Sequence, residues 1–428
     1  HPIFTIKGRN LMNASPGRGF VHDTLIHDIV ATGEALLSQR FGGNQVLTEV
    51  KVLSGSGNAV VLRARVMPSP FLQQRSVVLK YVPGVGNISE QVNLIREIVA
   101  YQFTTSMNED NRPGPVLLAH DVEKKILVIT DAGDGDTFAE LLMGSTPKHR
   151  VELLRSLGRA IGKMHAGTAD KESDFRVLLT RMLSKHSHLR SFNKYREHML
   201  TAAITVGERL VAAAGVPVPD VVHEFAAEAI RRLVSGQHRA FTPFDLAPEN
   251  IIVSDRTYFL DYEWAGFRDA AFDVACVVSG FPQNLATRPI SDNESDVFIE
   301  SWVQEVEGIW PNVKNRQRLN ARILAAMIAW CFSSMAFMHF DMDNEQFEQL
   351  IGKDSEDLIA GLVESSAPWA TEVLSGEALP PDGDDMRLIR LDLYDTFESL
   401  ERFAACSTDP RFAVVREFAR DVLKRLES

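Results

Sequence analysis

The apolar residues of this chain change their spacing near residue 130. Before that point most of them form short runs of strand length, apart from one helical stretch at 92–103. After it they recur every three or four residues, except in one hairpin at 251–260. Strands followed by helices are typical of an α+β fold, and 428 residues exceed one average domain. The pattern therefore predicts two lobes: a small N-terminal lobe with an antiparallel β-sheet and a larger, mainly helical C-terminal lobe.

The apolar runs of the N-terminal lobe predict its individual elements. Five strands are expected, at 50–53, 60–66, 77–82, 116–119 and 126–129. A flexible loop, Gly55-Ser56-Gly57-Asn58, separates the first two strands. Apolar residues at helical spacing between 92 and 103 predict one helix between the third and fourth strands.

Four segments are expected along the chain. They are an N-terminal extension at 1–19, the N-terminal lobe at 20–131, the helical lobe at 132–374 and a C-terminal helical addition at 375–428. The last boundary rests on the loop 375–385, which is rich in Gly, Pro and Asp. The chain starts with His1, and its first 19 residues hold no sustained apolar core, so we interpret them as a processed start rather than a signal peptide.

Composition argues against several classes of function. A net charge of -12 is unlike that of nucleic-acid-binding proteins, which concentrate positive charge on one surface. The three cysteines lie far apart, which indicates neither a disulfide framework nor a zinc site and fits a reducing cytoplasm. The longest uncharged stretch, 323–338, is short for a membrane span and favours a buried helix. We therefore expect a cytoplasmic protein that binds neither nucleic acid nor membrane, and whose oligomeric state the sequence does not indicate.

Three polar residues surround the predicted hairpin in the helical lobe. The hairpin would bring its two ends, Asn250 and Asp261, side by side. A carboxylate and an amide oxygen at that place could hold Mg²⁺. Asp245 precedes Asn250 by five residues and could reach a hydroxyl that attacks a metal-bound phosphate. The arrangement therefore suggests phosphoryl transfer.

A lysine and a glutamate in the N-terminal lobe point to the same chemistry. Lys80 lies on an otherwise apolar strand, where an ammonium group is costly unless it is paired. Glu97 follows 17 residues later on the predicted helix, and an ion pair with it would direct Lys80 toward nucleotide phosphates. The alternative is that Lys80 extends into solvent from an edge strand and that Glu97 faces solvent.

The order of these motifs resembles one known family. The chain carries, in sequence, Gly55-Ser56-Gly57-Asn58, Lys80, Glu97, the crossing at 130–133, the helix at 157–166, Asp245 to Asn250, Asp261 and Asp273. This order resembles the aminoglycoside phosphotransferase and choline kinase-like family over roughly residues 45–280. The resemblance implies a protein kinase-like fold that binds ATP between its lobes and phosphorylates a small molecule.

The resemblance also implies a role for each matching residue. It assigns nucleotide binding to segment 20–131, with contacts from Gly55, Ser56, Gly57, Asn58, Lys80 and Glu97 and from the hinge backbone of Asp131 and Ala132. It further implies that Asp245 is the catalytic acid–base residue, that Asn250 and Asp261 are the Mg²⁺ ligands, and that Asp273 is a structural acid near the active-site loop.

The chain departs from the family pattern immediately before Asp245. The family usually has His-Gly at that place, whereas this chain has Pro243 and Phe244, which should alter the path of the loop. An alternative function is therefore a nucleotide-binding pseudokinase or regulatory module without phosphotransfer. Protein kinase activity ranks lower, because Asp261-Tyr262-Glu263 stands where a protein kinase has Asp-Phe-Gly.

The charge of the acceptor substrate is left open by two opposing features. Between 175 and 196 the chain has six Lys or Arg residues and no Asp or Glu, which is either a solvated helix face or a surface for an anionic acceptor. The acidic residues Asp341, Asp343, Glu345 and Glu348 could instead attract a cationic amino sugar or amino alcohol. We expect an ATP- and Mg²⁺-dependent kinase acting on a hydroxyl of a small polar metabolite, amino sugar or aminoglycoside-like compound.

Overall fold

The computed structural model describes residues 18–53, 59–83, 88–284, 289–337, 349, 352–378 and 384–427. The proposed glycine loop, Gly55 to Asn58, and the acidic residues between Asp341 and Glu348 lie outside these described residues.

The N-terminal part contains the predicted five-stranded antiparallel sheet. Its strands are β1 (Leu47–Leu53), β2 (Val60–Val66), β3 (Ser76–Tyr81), β4 (Leu117–Asp121) and β5 (Ile126–Thr130). They are arranged in the order β1-β2-β3-β5-β4. The predicted helix is α2 (Ile88–Thr105), and it joins β3 to β4.

Helices cover both faces of this sheet. Leu127 and Ile129 of β5 belong to the same core cluster as α2, whereas Ile126 and Val128 pack on the other face with α1 (Arg18–Phe41). Since successive side chains of a strand point to opposite faces, both faces of β5 must be apolar. This explains its uninterrupted run of Ile, Leu, Val and Ile. Helix α1 was not predicted from the sequence.

Helices make up most of the rest of the chain. They are α3 (Phe138–Gly144), α4 (Pro147–Thr168), α5 (Glu172–Lys185), α6 (Arg190–Ala213), α7 (Asp220–Ser235), α8 (Ala271–Val278), α9 (Asp292–Val306), α10 (Arg316–Phe337), α11 (Ser355–Val373), α12 (Asp384–Ala404) and α13 (Pro410–Leu426). Two small sheets lie among them. In one, β6 (Asp136–Thr137) pairs with the hairpin of β8 (Ile251–Val253) and β9 (Thr257–Phe259). In the other, β7 (Arg239–Thr242) pairs with β10 (Gly266–Asp269).

Helix α10 lies at the centre of the helical core. Of the helices that the structure describes, it is the one whose length and composition would suffice to cross a membrane, but 83% of its apolar window is buried inside the protein. Its side chains pack against α6, α7, α8 and α12. This confirms the interpretation of the uncharged stretch as a buried core helix.

Two glycines let α4 approach α9 closely. A Cβ atom added at Gly158 would lie 2.5 Å from the carbonyl oxygen of Phe298, and one added at Gly162 would lie 2.6 Å from Cβ of Glu305. Both distances are too short for a stable contact between the helices. The glycines therefore serve helix packing.

We expect Gly158→Ala to destabilise the fold, although alanine normally favours a helix over glycine by about 1 kcal/mol. The overpacking at Phe298 should cost about 1–3 kcal/mol and outweigh that gain. Gly361→Ala in α11 is the matched control, because a Cβ atom there meets nothing within 4 Å and should stabilise the protein by about 0.5–1 kcal/mol. The free energy of unfolding in urea measures both changes. Stabilisation by both substitutions would contradict the close packing of α4 on α9.

Candidate active site

The structure places Lys80 in the interior of the N-terminal sheet and pairs it with α2. Strand β3, which carries Lys80, lies between β2 and β5 and is not an edge strand. Nζ of Lys80 is 2.7 Å from Oε2 of Glu97, which is buried. The alternative, in which Lys80 extends from an edge and Glu97 faces solvent, is therefore wrong.

The same lysine contacts the residue that follows the hairpin. Nζ of Lys80 is 3.3 Å from Oδ1 of Asp261, and Nδ2 of Asn250 is 3.3 Å from Oδ2 of the same carboxylate. The N–H of Leu260 donates to the carbonyl of Asn250, which extends the ladder beyond β8 and β9. The hairpin thus brings Asn250 and Asp261 together, as its strand pattern predicts.

Burial and charge act in opposite directions on this group of side chains. Burial lowers the pKa of Lys80, but the carboxylates of Asp261 and Glu97 outweigh that effect and raise the pKa above its usual range. Burial raises the pKa of Glu97, and Lys80 opposes the rise. Glu263 adds another acidic group that acts on Lys80. The ammonium group is therefore firmly protonated.

Asp245 follows β7 on a tight turn. Its backbone N–H donates to the carbonyl of Pro243 at 2.8 Å, which closes a three-residue turn around Phe244. Phe244 has a φ of 64°, in the left-handed region that glycine adopts without strain. A hydrogen-bonded turn with positive φ at its centre is uncommon and strained. This chain therefore keeps a backbone conformation suited to glycine while carrying a phenylalanine.

The ring of Phe244 is held in the helical core. Its centroid is 5.1 Å from that of Trp330 on α10 and 6.2 Å from that of Phe272 on α8. The guanidinium carbon of Arg268 is 4.7 Å from the same ring, and cation–π contacts of this kind contribute about 0.5–2 kcal/mol. The packing of the ring offsets the strain of the turn.

A buried polar chain supports the same turn. Oδ2 of Asp273 is 2.8 Å from Nε2 of His165, and the indole N–H of Trp302 donates to Nδ1 of His165 at 2.9 Å. Since an indole nitrogen only donates, Nε2 of the neutral ring carries the proton and donates to Asp273. The backbone N–H of Phe244 also interacts with the Asp273 carboxylate and opposes the rise in its pKa that burial causes. Asp273 thus supports the turn before Asp245.

The residues of the predicted hinge contact both lobes. The carboxylate of Asp131 accepts hydrogen bonds from Arg63 at 3.0 Å and from Ser76 at 2.8 Å. The carbonyl of Ala132 accepts one from Ser254 in the hairpin turn at 3.2 Å. The contacts of this backbone with an adenine ring stay a prediction.

Sequence reasoning missed a cluster of three buried arginines behind Asp261. This arginine cluster consists of Arg96, Arg196 and Arg268. Each arginine donates to one of three consecutive backbone carbonyls. Arg196 donates to Glu263 at 2.6 Å, and Arg268 donates to Trp264 at 2.7 Å. Arg96 donates to Ala265 at 3.0 Å. One signal was present, because Arg96 stands beside Glu97 in a run of apolar residues on α2.

The basic stretch at 175–196 divides into two groups in the structure. Five of its Lys and Arg residues are exposed, namely Arg176, Arg181, Lys185, Arg190 and Lys194. The sixth, Arg196, is buried against the segment after Asp261, where its guanidinium carbon lies 3.4 Å from the ring centroid of Trp264. The exposed five form a solvated helix surface, and only Arg196 belongs to the candidate site.

A pair of substitutions at Phe244 tests the strained turn. Phe244→Ala and Phe244→Gly should each destabilise the protein by about 3–5 kcal/mol, because both remove a buried ring. Phe244→Gly should be the more stable of the two by about 1 kcal/mol, since only alanine keeps a Cβ atom at positive φ. Urea unfolding followed by tryptophan fluorescence measures the difference. An alanine variant at least as stable as the glycine variant would refute the strain.

Comparisons with known proteins find a family model and several solved structures. A search of curated proteins gives no match. Solved structures that resemble this chain include a choline/ethanolamine kinase family protein from Mesorhizobium loti, at 14% identity over 85% of this chain and 99% of that one, with a TM-score of 0.39. Choline kinase LicA from Streptococcus pneumoniae is 14% identical over 83% of this chain and 100% of its own, with a TM-score of 0.40. The ADP-bound aminoglycoside phosphotransferase APH(2'')-Ib is 14% identical over 81% and 99%, with a TM-score of 0.41.

The small antiparallel sheet, the mainly helical remainder and the Lys80–Glu97 pair confirm the two-lobed, protein kinase-like α+β fold predicted from the sequence. Residues 103–307 match the phosphotransferase enzyme family, APH. The match includes Asp245, Asn250 and Asp261, whereas Lys80 and Glu97 lie before it. The matched part of the chain carries the turn at Phe244 and the hairpin, and the matching family is the one that the order of motifs resembles.

Proposed function

We propose that this phosphotransferase is an ATP- and Mg²⁺-dependent kinase that transfers phosphate to a hydroxyl of a small polar metabolite, amino sugar or aminoglycoside-like compound. The observation that carries the proposal is the joint contact of Lys80 with Glu97 and Asp261, at 2.7 and 3.3 Å, next to Asn250. Such a group of side chains would offer one cation and two oxygen ligands to nucleotide phosphates.

The side chains around the hairpin fit a magnesium site. Mg²⁺ prefers oxygen ligands, keeps several waters, and is usually held by one or two carboxylates together with substrate phosphates. Asp261 supplies a carboxylate, and Asn250 supplies an amide oxygen. Within the described part of the chain, no group of three or more His, Cys, Asp or Glu side chains is arranged to hold a metal ion. A site completed by phosphates and water needs no such group. The metal, when bound with nucleotide, would neutralise charge that develops on the transferred phosphate.

Each protein side chain has a distinct part in this proposal. Lys80, held by Glu97, would bind the α- and β-phosphates of ATP and keep them in place. Asp245 would orient the acceptor hydroxyl and receive its proton as the bond to phosphorus forms. The turn at Phe244, supported by Asp273, fixes the backbone from which Asp245 extends. Direct in-line transfer, without a covalent intermediate on the protein, suits this arrangement.

A nucleotide-binding module without phosphotransfer is the second candidate. The observation that favours it is the strained, bulky Phe244 directly before Asp245, where the related pattern has glycine. Such a module would keep the contacts among Lys80, Glu97 and Asp261 and bind ATP with Mg²⁺. It would not consume ATP with any acceptor.

The cytoplasmic location, the identity of the acceptor and the roles of Gly55 to Asn58 stay predictions.

We expect Asp245→Asn to lower the turnover number by about 10²–10⁴-fold, the usual contribution of an acid–base group. ATP binding should be retained, because Lys80, Asn250 and Asp261 are unchanged. ATP consumption over a panel of sugars, amino alcohols and antibiotics measures turnover, and titration calorimetry measures binding. Asp174→Asn is the matched control, since Asp174 is exposed on α5 and should leave both unchanged.

Two results would count against the kinase. Unchanged turnover in Asp245→Asn would show that Asp245 takes no part in phosphate transfer. Mg²⁺-dependent ATP binding by the wild-type protein, without ATP consumption on any acceptor of the panel, would favour the regulatory module.

A further inference from the structure

The arginine cluster binds one short segment, 263–265, from three elements of the fold. Arg96 comes from α2 in the N-terminal lobe, Arg196 from α6 and Arg268 from β10. All three donate to the carbonyls of segment 263–265, which begins two residues after Asp261. A segment whose carbonyls are bound to three different elements is fixed relative to all of them.

Three acidic residues, Glu197, Glu263 and Asp273, act on the charge of the arginine cluster. Oε1 of Glu197 is 2.7 Å from Arg96 and 3.3 Å from Arg268. Burial tends to raise the pKa of Glu197, but the guanidinium groups of Arg96 and Arg268 outweigh it and lower the pKa to about 2. Glu263 acts on Arg196 and Asp273 acts on Arg268 in the same sense. Buried charges of this kind are costly and are poor evidence of a gain in stability alone, so a positional role is the better explanation.

Arg96 and Glu97 are neighbours on α2 and act on the two ends of a slightly longer segment, 261–265. Glu97 holds Lys80, which contacts Asp261 at the start of segment 261–265. Arg96 donates to the carbonyl of Ala265 at its end. A displacement of α2 would therefore move both ends together. Arg268 also contacts the turn before Asp245, because its guanidinium group lies over the ring of Phe244.

We propose that Arg96 is a positioning residue that holds segment 261–265 against α2, so that Lys80 and Asp261 take up their places in the site together. This proposal rests on the proposed function, because it concerns the Mg²⁺-dependent binding of ATP. Arg96 donates to Asn193 and to the carbonyl of Ala265 and is not among the residues proposed to bind phosphate or metal. Its loss should leave the contact between Lys80 and Glu97 intact but release Asp261.

The first test compares nucleotide binding by Arg96→Met and the wild-type protein. Methionine keeps much of the length of arginine without its charge or its hydrogen bonds. Titration calorimetry with ATP should show about a tenfold weaker affinity in the presence of Mg²⁺, within the usual range of coupling between sites. With EDTA in place of Mg²⁺, the change should be less than about twofold, because Lys80 stays paired with Glu97. Arg96→Lys, which keeps one charged donor, should restore part of the Mg²⁺-dependent affinity.

Arg150→Met is the matched control. Arg150 is also buried, pairs with Glu294 and donates to the carbonyls of Leu142 and Pro289, but these contacts join α4 to α3, to α9 and to the residues just before α9. Its substitution should lower the melting temperature without changing the affinity for ATP with Mg²⁺. The comparison separates a general loss of stability from the loss of a specific position.

Amide hydrogen exchange supplies a measurement that does not depend on nucleotide. Arg96→Met should speed exchange of the amides at 262–266 by about tenfold or more, because this segment loses its hydrogen bond to Arg96. Exchange in the hairpin at 251–259 should stay unchanged. Unchanged exchange at 262–266 would overturn the proposal, as would wild-type affinity for ATP with Mg²⁺ in Arg96→Met or an equal loss in Arg150→Met. If the wild-type protein itself shows no Mg²⁺-dependent binding of ATP, the proposed function fails, and the role of Arg96 in it fails as well.

Discussion

The candidate site depends on one buried ammonium group. Lys80 lies between Glu97 and Asp261, which are 17 and 181 residues away in sequence. An ammonium group removed from water is costly without partners, and here each partner comes from a different element. The arrangement is complete only when β3, α2 and the hairpin are all in place. The packing of α2 between the sheet and the helical part of the chain is therefore also what assembles the site.

The turn before Asp245 shows how surrounding contacts can accommodate an unusual backbone conformation. Phe244 has a backbone conformation that suits glycine, and the cost of that conformation is of order 1–3 kcal/mol. The contacts of its ring with Trp330 and Arg268 offset this cost. The expectation that Pro243 and Phe244 alter the loop stays a prediction. In this chain the turn has a left-handed residue at Phe244, and its aromatic ring fills the core beside it.

Features that arise from neighbouring residues could be predicted from the sequence. The strands, helix α2 and the hairpin follow from spacing over fewer than 20 residues, and the meeting of Asn250 and Asp261 follows from the hairpin. Helix α1 was missed although Ile29, Leu36 and Leu37 repeat at helical spacing and are buried. The arginine cluster was missed for a different reason. Arg96, Arg196 and Arg268 lie on three separate elements, and nothing local distinguishes a buried arginine from a solvated one.

The order of motifs along the chain was enough to indicate the fold class and the side chains that meet around Lys80, because each of those motifs has a local pattern. Which of several charged residues are buried, and what they hold, depended on contacts between distant elements. Arg196 illustrates the difference. In the sequence it ends a basic run whose other members are exposed, yet in the folded protein it is buried against Trp264 and binds the carbonyl of Glu263. The energy of a charge depends on the groups and the solvent around it, and those surroundings exist only after the chain has folded.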